Sequence, residues 1–136
     1  MITTLNVVSI YVVDKDAALD FYVDKLGLEK GSDVRQGDYR WLTVRVPGGG
    51  ATEISLEKPG PPIHDEETAE RIRELVAQGA LGGLVFITDD AHALYETLRE
   101  RGVTDFTQEP TENFYGIDMA LRDPFGNSIR FLQQGG

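Results

Sequence analysis

The chain has 136 residues and no cysteine, and its 13 Lys and Arg face 23 Asp and Glu, for a formal net charge of -10. That length gives roughly one compact domain able to bury a core without staples. The absence of thiols excludes a disulfide scaffold, thiolate zinc sites, iron–sulfur clusters and cysteine nucleophiles. The acidity disfavours nucleic acid and anionic membrane surfaces, keeps the chain soluble, and attracts cationic small ligands.

The opening Met1-Ile2-Thr3-Thr4-Leu5 has no basic run. No stretch approaches the ~18 apolar residues of a spanning helix, so neither a signal peptide nor a membrane span is expected and the expected location is cytoplasmic. Val8 to Val13 is a β-rich run that ends on Asp14, a helix N-cap. Ala18, Phe21, Tyr22, Lys25 and Leu26 then form one stripe of a helix that stops at Gly27. Leu42 to Leu56 reads as strand, Pro/Gly hairpin, strand. Pro59-Gly60-Pro61-Pro62 cannot be helical. After it, Asp65 or Thr68 caps a helix with Ala69, Ile72, Leu75 and Val76 on one stripe, ending at Gly79. Leu84 to Ile87 is a second β-rich run, closed by Asp89-Asp90 at another N-cap. The helix that follows carries Leu94, Tyr95 and Leu98 and stops at Gly102. Gln108 to Gly116 reads as a loop, and Met119 to Gln133 again as strand, hairpin, strand.

The second half therefore repeats the first. A gapless shift of 77 residues lays Leu42 on Met119, Val44 on Leu121, Arg45 on Arg122, Pro47 on Pro124 and Gly49 on Gly126. It also makes Glu53 the counterpart of Arg130. Each half reads β-α-β-β-β. The expected organisation is a single domain over residues 1–136, with module one at 5–57, a helical linker at 58–82 and module two at 83–133.

Strand alternation separates two faces. Val8, Ile10 and Val12, then Leu42, Val44 and Val46, then Ile54 and Leu56 mark the helix-covered face of module one. Leu84, Phe86, Met119, Leu121, Ile129 and Phe131 do so in module two. The opposite face is mixed. It holds Ser9, Tyr11, Trp41, Thr43, Arg45, Glu53, Ser55 and Glu57 in the first half, and Val85, Ile87, Asp118, Ala120, Arg122, Arg130 and Leu132 in the second. A half-polar surface with Tyr, Trp and charged groups suits a small-molecule pocket, and equally the wet side of an antiparallel sheet.

The carriers of a family resemblance are Asp14-x6-Phe21-Tyr22-x3-Leu26-Gly27-Leu28 in the first half, Asp123-Pro124-Phe125-Gly126-Asn127 in the second, and the Tyr115-Gly116 pair before the penultimate strand. With them the chain resembles the vicinal oxygen chelate superfamily, the glyoxalase/bleomycin-resistance/dioxygenase fold, over nearly its whole length. The resemblance implies an α+β fold: two tandem βαβββ modules whose curved sheets form a cup lined by the mixed face. It also implies a homodimer, which the superfamily commonly builds. The superfamily spans lyases, isomerases, dioxygenases, thiol transferases and drug-binding resistance proteins.

Metal-dependent members place four ligand positions on the cup. Carried across, they fall on Val7, Glu53, Gly83 and Arg130, so one carboxylate of the set is kept and one position is cationic. No bound metal and no cofactor are therefore expected. His64 in the Pro-rich linker and His92 in a helix's first turn are expected to be solvated or capping. The leading functional expectation is a metal-independent protein that binds or sequesters a drug-like or aromatic small molecule. Its expected ligand residues are Ser9, Tyr11, Trp41, Thr43, Arg45, Glu53, Ser55, Phe114, Tyr115, Asp118 and Arg130. The alternative is a lyase, isomerase or oxygenase on a small organic substrate, with Glu53 as base and Arg130 stabilising an enolate-like anion. Whether any catalysis occurs stays open at this point, as does an assembly role with an empty cup.

Overall fold

The period-two and helical patterns fold into two four-stranded sheets with helices in a computed structural model, which describes residues 1–135. The chain divides into two compact units, the first ending at Glu74 and the second beginning at Leu75. The division falls inside the linker helix.

In the first unit, β1 (Val7–Tyr11) leads to Asp14, whose side chain accepts from the Ala17 amide at 3.0 Å and caps α1 (Lys15–Leu19). A π turn, Asp20–Lys25, extends that helix, and Gly27 at φ 85° ends it, a conformation glycine adopts at no steric cost. The strands β2 (Glu29–Gln36), β3 (Tyr39–Arg45) and β4 (Glu53–Glu57) follow. The sheet order is β1-β4-β3-β2, with β1 parallel to β4 and the other pairs antiparallel. The α1 segment packs on β4, and Phe21 and Tyr22 from its π turn are buried with Ile10, Val12, Leu42, Val44, Ile54 and Leu56. Of the face expected to be covered, only Val46 lies in the open: it follows the last residue of β3, in the hairpin, where alternation no longer applies.

The linker helix α2 (Glu66–Ala77) is capped by Asp65, which accepts from the Thr68 amide at 2.7 Å. Ala69 and Val76 of its stripe are buried and Leu75 is exposed.

The second unit repeats the topology with β5 (Leu84–Ile87), α3 (Ala91–Glu100), β6 (Phe106–Asn113), β7 (Gly116–Arg122) and β8 (Ser128–Gln134) in the order β5-β8-β7-β6. Asp90 caps α3 by accepting from the Ala93 amide, and α3 packs on β6, β7 and β8. The loop expected from Gln108 to Gly116 is instead strand for most of its length. β6 is an edge strand, and Pro110 lies within a register irregularity between Gln108 and Thr111, where a missing N–H costs no ladder bond.

The repeat is real, but its pairing differs from the gapless one. Residues 29 and 39 begin β2 and β3, and residues 106 and 116 begin β6 and β7, each 77 later, whereas in the first strand Leu84, which pairs with Ile129 as Val8 does with Ile54, lies 76 later. In the last strand the correspondence slips. Thr43 pairs with Ser55, twelve positions on, whereas its counterpart Ala120 pairs with Arg130, ten positions on. The second hairpin is two residues shorter. The register therefore makes Arg130 the counterpart of Ser55, and Ser128 that of Glu53. A slip of two keeps every side chain on its face, so the parity assignment survives while the Glu53–Arg130 equivalence does not.

Candidate functional site

On the mixed face of the second unit, one carboxylate gathers four donors. Asp118, on the inner strand β7, is only 5% exposed. Its Oδ1 accepts from Gln108 Nε2 at 2.6 Å and Asn113 Nδ2 at 3.1 Å. Its Oδ2 accepts from the Tyr115 hydroxyl at 2.9 Å and Arg130 Nη2 at 3.0 Å. Gln108, Ala120 and Arg130 form one row across β6, β7 and β8. Because the middle residue is only a methyl group, Arg130 Nη2 also reaches over it to Gln108 Oε1 at 3.0 Å. The hydrogen bond from Arg130, with those from Tyr115 and Gln108, holds the Asp118 carboxyl below the usual carboxylate range despite burial. The same carboxylate raises the Tyr115 phenol, because losing the hydroxyl proton would set two anions side by side.

Apolar groups surround this polar knot. Val85, 66% exposed, pairs in register with Arg130, and Ile87, 61% exposed, pairs with Leu132. Phe114 stands at the tip of the β6–β7 turn, fully exposed, with its ring edge-on to Tyr115 at 5.2 Å between centroids. Exposed apolar side chains beside a satisfied ion pair are unusual for a sheet face that meets only water.

The mixed face of the first unit is built differently. Thr43 is buried; its Oγ1 accepts from the Ser32 amide at 2.8 Å and donates to Glu53 Oε1 at 2.6 Å. The Glu53 carboxylate lies over Gly31, where a Cβ would stand 2.0 Å from Oε1. Gly31 is the counterpart of Gln108. Module one thus has a glycine and a glutamate where module two has Gln108 and Ser128. Buried Ser55 donates its hydroxyl to Glu57, which also accepts from the Tyr39 hydroxyl at 3.0 Å. Trp41 and Tyr11 are half-buried, and Tyr11 meets His64 edge-on at 5.7 Å, so the linker histidine is packed and not simply solvated. Arg45 is exposed and bonded to Glu29 across β2–β3 at 2.8 Å, and Ser9 is exposed.

Of the expected ligand residues, the structure thus joins Tyr115, Asp118 and Arg130 in one network and Thr43 with Glu53 in another. Within its own sheet Arg130 bonds to Asp118, and within the other sheet Glu53 bonds to Thr43. Gln108, Asn113 and Gly31 were not anticipated. The shift of 77 that aligns Gly31 with Gln108 was the available signal for both edge strands. A groove of about 810 Å³ lies elsewhere in the first unit, lined by Lys15, Tyr39, Arg40, Lys58, Glu66 and Arg73 among others, and none of the expected ligand residues borders it.

The residues at the metal-ligand positions do not fit a metal. Val7 offers no donor atom. A Cβ at Gly83 would stand 2.0 Å from the Ser128 carbonyl oxygen, so no side chain can be placed there without moving β8. Arg130 carries a positive charge, and among the described residues no three His, Asp or Glu side chains converge.

Comparison with known proteins agrees with the architecture. The family model for the glyoxalase/bleomycin resistance protein/dioxygenase superfamily matches residues 4–131. The chain belongs to that superfamily. It is 35% identical to the protein YurT of Bacillus subtilis, over 94% of this chain and 97% of that one. Among superfamily-like structures, that of UcmS2 superposes with a TM-score of 0.93 at 40% identity, covering 98% of this chain and all of the other (100%). TnmS3, an antibiotic binding protein from Streptomyces sp. CB03234, superposes with a TM-score of 0.77 at 30% identity, covering 98% of each chain.

Proposed function

We propose that this member of the superfamily is a metal-independent small-molecule-binding protein that captures an aromatic, drug-like ligand on its mixed sheet faces. The observation that carries the reading is the Asp118 network: a carboxylate with four donors, set beside exposed Val85, Ile87 and Phe114. Its polar groups are already oriented, so a ligand need not organise them on arrival. The apolar rim and the free Phe114 ring supply area for an aromatic skeleton. A protein that sequesters needs affinity and no reactive group, so Val7, Gly83 and Arg130 at the ligand positions cost it nothing. Likeness to an antibiotic binding protein supports the same class of function.

In this reading Ser9, Tyr11, Trp41, Thr43, Arg45, Glu53 and Ser55 contribute from module one. Phe114, Tyr115, Asp118 and Arg130 contribute from module two. The protein works as a cytoplasmic homodimer, without cofactor, nucleic acid or membrane partner. Native mass spectrometry of protein purified in the presence of a chelator tests the binding role. A noncovalent small-molecule adduct on each chain is expected. Protein that carries no ligand, and takes up none from an aromatic compound library, would contradict it.

A further inference from the structure

The ligand's polar recognition group follows from what Arg130 does with its five N–H donors. Nη2 uses both of its own, one on Asp118 and one on Gln108. The two on Nη1 and the one on Nε have no partner among the described residues, and the side chain is 43% exposed. The guanidinium cannot turn freely to use them in water, because Nη2 is pinned at two points. Three donors are therefore held in fixed directions on the sheet face that also carries Val85, whose backbone pairs in register with Arg130.

The surrounding charges decide which chemistry those donors select. Arg has no acceptor, so nothing on this side chain can receive a hydrogen bond from an ammonium group. The carboxylate that would attract a cation, Asp118, is buried and its oxygens already accept four bonds. The net charge of -10 favours cations over the surface as a whole, but that attraction is long-ranged and screened by salt within roughly 10 Å. Contact at the knot is short-ranged and donor-rich.

Resting on the proposed binding function, we infer that the ligand carries an oxygen acceptor, a carbonyl or a carboxylate, on an apolar planar skeleton, and that Arg130 reads it through Nη1 and Nε while Val85, Ile87 and Phe114 hold the skeleton. Arg130 is then the specificity-determining residue of the second module. It is positioned by Asp118 and Gln108, and Ala120 gives it the room to be so.

Four probes of one shape separate the possibilities: 2-acetylnaphthalene, 2-naphthoate, 2-ethylnaphthalene and 2-naphthylmethylammonium, titrated calorimetrically into the intact protein in 0.15 M salt. Both acceptor-bearing probes should bind ~10-fold or more tightly than 2-ethylnaphthalene, with the ammonium weakest. The ratio of the ketone to the carboxylate tells which acceptor the site prefers. In Arg130→Lys, which keeps the charge for Asp118 but lacks the planar donors, the preference should fall below about 2-fold while 2-ethylnaphthalene binding is retained. Arg130→Met should behave alike, with circular dichroism confirming the fold of both variants. In the native protein the Arg130 Nε–H resonance should shift with the ketone and the carboxylate and stay in place with the hydrocarbon. Equal binding of all four probes, tightest binding of the ammonium, or a preference unchanged in Arg130→Lys would overturn the inference and leave the binding function standing. Failure of every probe to bind would instead remove the binding function and this inference with it.

Discussion

Replacing Asp118 by Asn keeps the shape of the side chain and removes its charge, so the cost reports the network alone. In the native protein each carboxylate oxygen accepts from two donors. Whichever way the new amide turns, its NH2 group faces two donors that have lost their acceptor. A buried hydrogen bond to a charged group is worth about 1.5–3 kcal/mol. Arg130 is 43% exposed at its side chain and regains part of that from water, while Asp118 at 7% does not. The expected destabilisation is about 2 kcal/mol. For a domain of this length that corresponds to a fall of roughly 6 °C in Tm, read by calorimetry or urea unfolding. The loss should couple to Arg130→Met: the double variant should be about 1 kcal/mol more stable than the sum of the single changes implies. The pH dependence has a fixed sign. Because Arg130 lowers the Asp118 pKa, the stabilisation is present above the ordinary carboxylate value of ~3.9 and fades as pH falls through the lowered one. The gap between native protein and Asp118→Asn should be constant from about pH 5 to 7 and close below about pH 4. A change within ~0.5 kcal/mol and no coupling would show that the network is merely a solvated surface cluster, and the account of the site would fail.

Three further substitutions test other links. Gly126 sits at φ 113° with the Val76 carbonyl oxygen 2.1 Å from where a Cβ would be, so Gly126→Ala must move backbone and should cost more than about 3 kcal/mol in urea unfolding. Gly31→Ala must push the Glu53 carboxylate off Thr43 and should cost about 1–2 kcal/mol; an unchanged midpoint would mean that the Thr43–Glu53 bond contributes nothing. Phe114→Ala should leave stability within ~0.5 kcal/mol, because the ring is fully exposed, yet weaken binding of an aromatic ligand by roughly 2- to 10-fold in calorimetric titration.

Most of the fold was legible because local chemistry and global topology agree. Caps were expected at Asp14, at Asp65 or Thr68, and at Asp89-Asp90, and Asp14, Asp65 and Asp90 each accept from the amide three residues on. Gly27, Gly79 and Gly102 were expected as stops and each adopts a positive φ. The helix-facing parity holds Ile10, Leu42, Val44, Ile54, Leu56, Met119, Leu121, Ile129 and Phe131, all buried, although Thr43, Ser55, Asp118 and Ala120 of the other face are buried too. The edge strands were harder. β2 and β6 are polar on both faces, and Pro110 argued against a strand, so no alternation identified Gly31 or Gln108. Registry was harder still: Pro47 and Gly49 align with Pro124 and Gly126, and nothing in that match reveals a hairpin shorter by two residues. The Asp118–Arg130 bond depends on this register, and both residues were named as site residues without being paired. The small side chain that lets Arg130 reach Gln108 is Ala120, which carries no chemistry of its own to draw attention in a sequence.

The central claim, ligand capture without metal, is tested most directly by measuring divalent metal per chain and ligand retention on the same purified sample, before and after dialysis against a chelator. The account predicts far less than one Zn, Ni, Mn or Fe per chain before dialysis, and the same bound-ligand stoichiometry after it. Close to one metal ion per chain, whose removal abolishes binding and whose return restores it, would contradict the account.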